Sequence, residues 1–75
     1  MAARQRGIGQ VIADLRREAK LSQEELAHRA SLHRTHISQI ERGLKSPTIA
    51  TLQGIAKALD TSASKIMRLA ETERL

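Results

Sequence analysis

The stretch that decides the fold is residues 23–42, which read QEELAHRASLHRTHISQIER. Its apolar side chains have the spacing of two helices joined by a turn: Leu26, Ala30, Leu32, Ile37 and Ile40. Two helices that cross at about 90–120° through a short turn approach closely near the start of the first helix, where the small Ala27 stands. The turn itself needs a small residue that tolerates an unusual backbone conformation, and Ser31 has that position. The pattern predicts two packed helices with Leu32 beneath the turn.

The flanking sequence predicts three further helices. Apolar residues at spacings of three and four mark the first and fourth helices: Ile8, Val11, Ile12, Leu15 and Ala19, then Leu52, Ile55, Ala56 and Leu59. Ser22 and Glu25 have the spacing of a capping box at the start of the second helix. Gly43 is typical of a residue just past a helix end, whereas Thr48 and Ser62 are typical caps at helix starts. We predict no strand and five helices, over residues 9–19, 23–30, 34–42, 49–59 and 63–69.

The composition excludes several classes of protein. The chain has no cysteine and no aromatic residue, so it has no disulfide framework and no zinc–thiolate site. It has neither an apolar run long enough to span a bilayer nor a secretory signal, so we expect the cytosol. Thirteen basic and eight acidic residues give a net charge of +5, which suggests a polyanion partner. Single-stranded nucleic acid is disfavoured because its bases stack on aromatic side chains.

Three blocks of the sequence, followed by a short final helix, resemble the phage-repressor-like (Xre-type) helix-turn-helix family. The blocks are LSQEELA (21–27), SLHRTHISQIERG (31–43) and SPTIATLQGIAKAL (46–59). Ser31 replaces the glycine that is usual in this family, and His33 replaces the more usual Asp or Ser. Within the family, the chain looks most like the controller proteins of restriction–modification systems and small phage repressors.

The resemblance implies an all-α fold: a compact five-helix, lambda-repressor-like DNA-binding domain whose helix-turn-helix consists of helices 2 and 3. Residues 1–75 would form this single domain. Residues 1–7 would be a flexible arm, and residues 63–75 would be a final helix and tail that contact a second copy of the chain.

The resemblance also implies that helix 3 enters the major groove of double-stranded DNA. Arg34, in its first turn, can donate two hydrogen bonds to guanine, and the Gln39 amide can pair with adenine. The residues expected to contact bases are Arg34, Thr35, Ser38 and Gln39. Each has a plainer alternative, which is a phosphate contact or a solvated helix face, and a phosphate contact is slightly favoured for Thr35.

Phosphate contacts are expected at the start of helix 2 and in the loop after helix 3. The free N–H groups and the dipole at a helix start suit an anion. The residues expected to contact phosphates are Ser22, Gln23, His36, Arg42, Lys45 and Ser46. Ser22 is also an ordinary N-cap, Gln23 would in addition brace helix 3, and His36 has partial burial as an equal alternative.

Two further sets of residues have structural roles by resemblance. Arg16 and Glu41 resemble the ion pair that ties helix 1 to the end of helix 3, which favours a structural role for Arg16 over a DNA contact. In helix 5, the apolar side chains exceed what the edge of a small domain needs: Ile66, Met67 and Leu69. They are assigned to a twofold dimer interface, which residues of helix 4 could extend, and the plainer alternative is that they belong to the core.

We therefore predict a sequence-specific transcriptional regulator that binds a palindromic operator in double-stranded DNA as a homodimer. Its half-sites would lie about 34–36 Å apart. The length leaves no room for a ligand-sensing domain, so control through protein concentration, and autoregulation, are expected. No enzyme activity, cofactor or small-molecule ligand is expected. A metal site at His28, His33 and His36 is disfavoured, because no cysteine or carboxylate supports them.

Two alternatives come from other functional classes. An antitoxin-type protein-interaction module would bind a toxin first and DNA only secondarily. A membrane-surface protein would use the arginines of helix 1, but that helix lacks aromatic anchors and mixes acids into its polar face.

Overall fold

The computed structural model describes residues 7–71, so the predicted arm, apart from Gly7, and the tail after Glu71 lie outside the described residues. Five helices follow one another: α1 (Ile8–Glu18), α2 (Gln23–Arg29), α3 (Arg34–Glu41), α4 (Ile49–Ala58) and α5 (Ala63–Glu71). No strand occurs within this described range. The all-α, five-helix prediction is confirmed, with α2 and α3 as the helix-turn-helix.

The first four helices end in the same way. Each is followed by a residue with a left-handed backbone conformation, at φ values of 60°, 58°, 78° and 59° in chain order: Lys20, Ser31, Gly43 and Asp60. The N–H of that residue and of the next one bond back to carbonyls of the last helical turn. The unusual conformation predicted for Ser31 is thus confirmed. Each of these helices ends one residue earlier than predicted. The residue that was expected to be the last of the helix is instead its C-cap, and the left-handed residue follows that cap.

Side-chain oxygens cap three of the helix starts. The Glu25 N–H donates to Ser22 Oγ at 2.9 Å, and the Ser22 N–H donates to Glu25 Oε1 at 2.8 Å, which completes the predicted capping box. The hydrogen bond from the Ser22 backbone lowers the pKa of Glu25. Thr48 and Ser62 each accept the N–H three residues further on. His33 precedes α3 without a side-chain cap.

The core is aliphatic throughout. Its buried members come from all five helices: Val11, Ile12, Leu26, Ala27, Ile37, Ile40, Leu52, Ile55, Ala56, Ile66 and Ala70. Among the described residues, no polar or charged residue belongs to this core. The prediction that Ala19 faces the core is wrong, because it caps the end of α1 and is exposed, while Ala30 and Leu59 are only half-buried. Leu21, which the helical pattern missed, is buried because the turn at Lys20 directs the chain back towards the core.

α1 crosses the end of α3 at a very close backbone approach. A Cβ atom built on Gly9 would overlap the carbonyl oxygen of Ile40 and lie 2.9 Å from that of Glu41. Real Cβ atoms do not come so near to backbone oxygens, so only glycine allows α1 to lie against the end of α3. Gly54, in the middle of α4, differs, because its nearest neighbour would be the Ala30 carbonyl oxygen at an ordinary 3.8 Å.

Gly9→Ala and Gly54→Ala form a matched pair with opposite expected effects. Gly54→Ala should raise the free energy of unfolding by about 0.5–1 kcal/mol, since alanine loses less backbone freedom in a helix. Gly9→Ala should lower the free energy of unfolding by at least about 1–3 kcal/mol, since it forces α1 away from α3. Urea unfolding followed by circular dichroism measures both. Equal stabilisation by the two substitutions would contradict the close approach.

Candidate nucleic-acid interface

The predicted base contacts occupy one side of α3. At about 100° per residue they span roughly 140° of the helix surface: Arg34, Thr35, Ser38 and Gln39. Arg34 and Thr35 are exposed, and the other two are half-exposed. Ile37 and Ile40 point the opposite way and are fully buried. Burial of two isoleucines therefore sets the rotation of α3 and leaves a continuous polar face accessible.

The loop after α3 is fixed to that face through the backbone. The Gln39 carbonyl accepts the N–H of Leu44 at 2.9 Å and that of Lys45 at 3.3 Å. Gly43, with φ 78°, makes the reversal possible. Lys45, Ser46 and the capping Arg42 are all exposed. Three predicted phosphate contacts therefore lie beside the predicted base contacts.

The start of α2 lies against the same helix. Gln23 Nε2 donates a 2.9 Å hydrogen bond to Glu41 Oε1. This bond ties the start of α2 to the end of α3, which is the bracing contact expected for Gln23. Ser22 is exposed, and its hydroxyl caps α2. His36 is half-buried in the first turn of α3. Contacts of these residues with phosphate stay predictions.

Glu41 holds three helices together. Arg16 Nε donates to Glu41 Oε2 at 2.8 Å and Arg16 Nη2 donates to Oε1 at 3.1 Å, while Gln23 supplies a third hydrogen bond. The two charged side chains are only 12% and 5% exposed. The hydrogen bond to Glu41 raises the pKa of Arg16, whose remaining Nη1 donates to the Leu21 carbonyl at 2.9 Å. The ion pair expected between α1 and the end of α3 is present, and it is shielded from solvent.

One expectation for α5 is wrong. Ile66 is 0% exposed and packs in the core of its own protomer, so it has no surface to offer a second chain. Met67 is 46% exposed, and Leu69 is half-buried against the core. Sequence analysis missed two exposed apolar residues, Leu44 and Ile49, at 63% and 76%. Ile49 continues the apolar stripe of α4, but it lies at the first residue of the helix, beyond the edge of the core.

Ile49 and Met67 lie on one open groove. It has a volume of about 900 Å³ and runs between the start of α1, the loop after α3 and α5. Its polar members include Arg42 and Lys45. The groove therefore places an apolar surface directly beside the end of α3.

Within residues 7–71, no group of three or more histidine, aspartate or glutamate side chains is placed to hold a metal ion. None of the described helices combines the length and the apolar character needed to cross a bilayer.

Glu41→Gln tests how firmly the shielded ion pair holds α3. Because the substitution leaves the shielded Arg16 guanidinium without its counter-charge, the free energy of unfolding should fall by about 1–3 kcal/mol. The control is Arg17→Gln, which removes the exposed 3.5 Å ion pair with Asp14. This substitution should change the free energy of unfolding by less than about 1 kcal/mol. Similar small effects in both variants, measured by urea unfolding, would contradict a structural role for Glu41.

The helix-turn-helix family model matches residues 12–66, which is more than half of the chain. The chain is 40% identical over 60 residues to the immunity repressor protein of Bacillus phage phi105, covering 80% of this chain and 42% of that repressor. It is 37% identical over 60 residues to the control protein C.BamHI of Bacillus amyloliquefaciens, covering 79% of this chain and 74% of that protein. The chain therefore spans less than half the length of the phage repressor.

Comparison with solved structures leads to the same family. The DNA complex of SinR, a master regulator for biofilm formation, superposes with a TM-score of 0.78 at 35% identity, over 81% of this chain and 98% of that one. The DNA-binding domain of the P22 c2 repressor superposes with a TM-score of 0.81 at 26% identity, over 85% and 84%. The chain belongs to the Xre-type helix-turn-helix family of DNA-binding transcription regulators.

Proposed function

We propose that this chain is a sequence-specific regulator that reads a palindromic operator as a homodimer, with α3 of each copy in the major groove. The observation that carries the proposal is the polar face of α3, which is turned away from two buried isoleucines and held by the Glu41 hydrogen bonds. A face held in one orientation can position hydrogen-bond donors against base edges.

The residues divide into two kinds of contact. Arg34 lies in the first turn of α3, where a guanidinium can donate to guanine O6 and N7, and Gln39 lies about one and a half turns further on the same side. Lys45 is tied to the end of α3 through the Gln39 carbonyl and would meet the sugar–phosphate backbone. The first kind of contact gives sequence preference, and the second gives register and salt-dependent affinity.

A second copy of the chain would cover the groove beside α3. The large apolar side chains that the described residues leave exposed are in the α3–α4 loop, at the start of α4 and on α5: Leu44, Ile49 and Met67. Ile49 and Met67 line the groove themselves, so the same surface holds both projecting side chains and a hollow, as a twofold interface requires. This surface replaces the interface predicted from Ile66 and keeps Met67 and the partly buried Leu69. It would bring the two α3 helices close to one twofold axis.

A role in controlling its own expression is supported by the kind of protein that the relatives are. They include control proteins C.SmaI and C.BamHI and a phage immunity repressor. Regulation by protein concentration then follows from mass action, because a dimer that forms at higher concentration occupies its operator more fully. The proposed place of action is the cytosol, where the operator DNA is accessible.

Arg34→Ala and Lys45→Ala should separate base reading from phosphate binding. A duplex is first selected from a random pool by binding to the protein. Arg34→Ala should then cost about 1–3 kcal/mol on the selected duplex and much less on a random one. Lys45→Ala should weaken binding to both duplexes. It should also make the negative slope of log K against log salt shallower by about 0.9. Equal losses on both duplexes for Arg34→Ala would assign that residue to phosphate, and an unchanged slope for Lys45→Ala would remove it from the DNA surface.

Ile49→Asp should break the proposed dimer without unfolding the protomer. A buried carboxylate in an apolar interface is strongly unfavourable, whereas an acidic residue in the first turn of a helix suits the dipole. Sedimentation equilibrium should show the dimer constant weakened by at least about tenfold, which is 1.4 kcal/mol. Gln53→Asp, which adds the same charge at an exposed position of α4, should dimerise normally. A wild-type chain that stays monomeric, or an unaffected Ile49→Asp, would refute this interface.

A further inference from the structure

Two histidines lie at the start of α3, and their backbones, but not their imidazoles, bond within the helix. His33 is the residue that precedes α3; it is exposed and makes no capping hydrogen bond. His36 is half-buried in the first turn. Within residues 7–71, neither imidazole has a hydrogen-bond or ion-pair partner. The fold does not explain why two titratable side chains stand at this position.

Their place on the helix relates them to the proposed DNA surface. His33 directly precedes Arg34. His36 lies about 60° beyond Gln39 around the helix axis, at the margin between the polar face and the buried isoleucines. If α3 enters the major groove, a side chain at this margin would lie nearest to the sugar–phosphate backbone, which receives half or more of the hydrogen bonds between proteins and DNA. This placement rests on the proposed function.

The charge of the segment depends strongly on these side chains. Residues 33–47 contain three basic residues (Arg34, Arg42 and Lys45) and one acidic residue (Glu41), so their net charge is +2 with neutral histidines. Protonation of both imidazoles would raise the net charge to +4. The part of the chain proposed to face DNA would therefore carry twice its charge.

Among the described residues, no charged side chain of the elements packed against α3 is bonded to these imidazoles. The charged and titratable groups of α1 and α2 are Asp14, Arg16, Arg17, Glu18, Glu24, Glu25, His28 and Arg29. Glu25 is bound to the Ser22 N–H, and Arg16 to Glu41. Neither imidazole is bonded to any of them. The anion that would stabilise an imidazolium here arrives with the DNA.

We propose that DNA binding by this chain takes up protons at His33 and His36, so that its affinity for DNA rises as the pH falls from 8 to 6. Imidazole is the side chain that ordinarily changes charge in this interval. An opposite charge within about 4–6 Å favours the charged form of a group. The complex then holds more protons than the free protein, and linkage requires binding to strengthen as protons become more available.

The test measures affinity by fluorescence anisotropy at pH 6 and pH 8, with the selected duplex and with a random duplex of equal length. Between these pH values the wild type should tighten roughly tenfold on both duplexes. Its slope of log K against log salt should steepen by about 1–2 at pH 6, since each imidazolium that neutralises a phosphate adds about 0.9. Calorimetry in buffers of different ionisation enthalpy should show net proton uptake on binding.

The variant His33→Asn/His36→Gln should lose most of the pH dependence and the proton uptake. Asparagine is a good residue before a helix, so the variant should fold. The control is His28→Gln, an exposed position in α2, and it should keep the wild-type pH response. A pH-independent wild type, an unchanged response in the double variant, or an equal loss in His28→Gln would each overturn the inference while DNA binding itself persists. Failure to bind any duplex at either pH would overturn the proposed function as well.

Discussion

The carboxylate of Glu41 is the constraint on which the rest of the molecule depends. It accepts hydrogen bonds from α1 and α2 while it belongs to α3, so it fixes the angle at which the helix-turn-helix meets the first helix. Its location is possible only because Gly9 lets α1 lie against the end of α3. From that fixed end, the Gln39 carbonyl positions the loop that carries Lys45. A local ion pair thereby sets the geometry of a whole surface.

The sequence predicts most of the fold because most of the folding signals are local. The capping box needs only Ser22 and Glu25, and the left-handed turn needs only Ser31 between two apolar stretches. The rotation of α3 follows from Ile37 and Ile40, and for that reason the exposed face of α3 agrees with the predicted base contacts. These features require no knowledge of how distant helices pack.

The predictions that fail depend on tertiary packing. Ile66 and Met67 are adjacent apolar residues about 100° apart on α5, and only the packing of α5 against α1 and α4 decides which one is buried. Ile49 fits the apolar stripe of α4, yet the core ends before it. Leu21 is buried only because the turn at Lys20 directs the chain back towards the core, which no helical pattern shows. Single-sequence periodicity carries none of this information.

The repeated helix endings have a consequence for the amount of protein in the cell. Three of the four left-handed positions hold Lys20, Ser31 and Asp60 rather than glycine, and a side chain there costs about 1–2 kcal/mol. The domain is therefore less stable than its fold allows. Since changes of about 1–2 kcal/mol can alter the abundance of a small protein several-fold through proteolysis, glycine at these turns would be expected to slow the removal of the chain. If the chain acts through its own concentration, as proposed, these three turns would also affect how quickly its response decays.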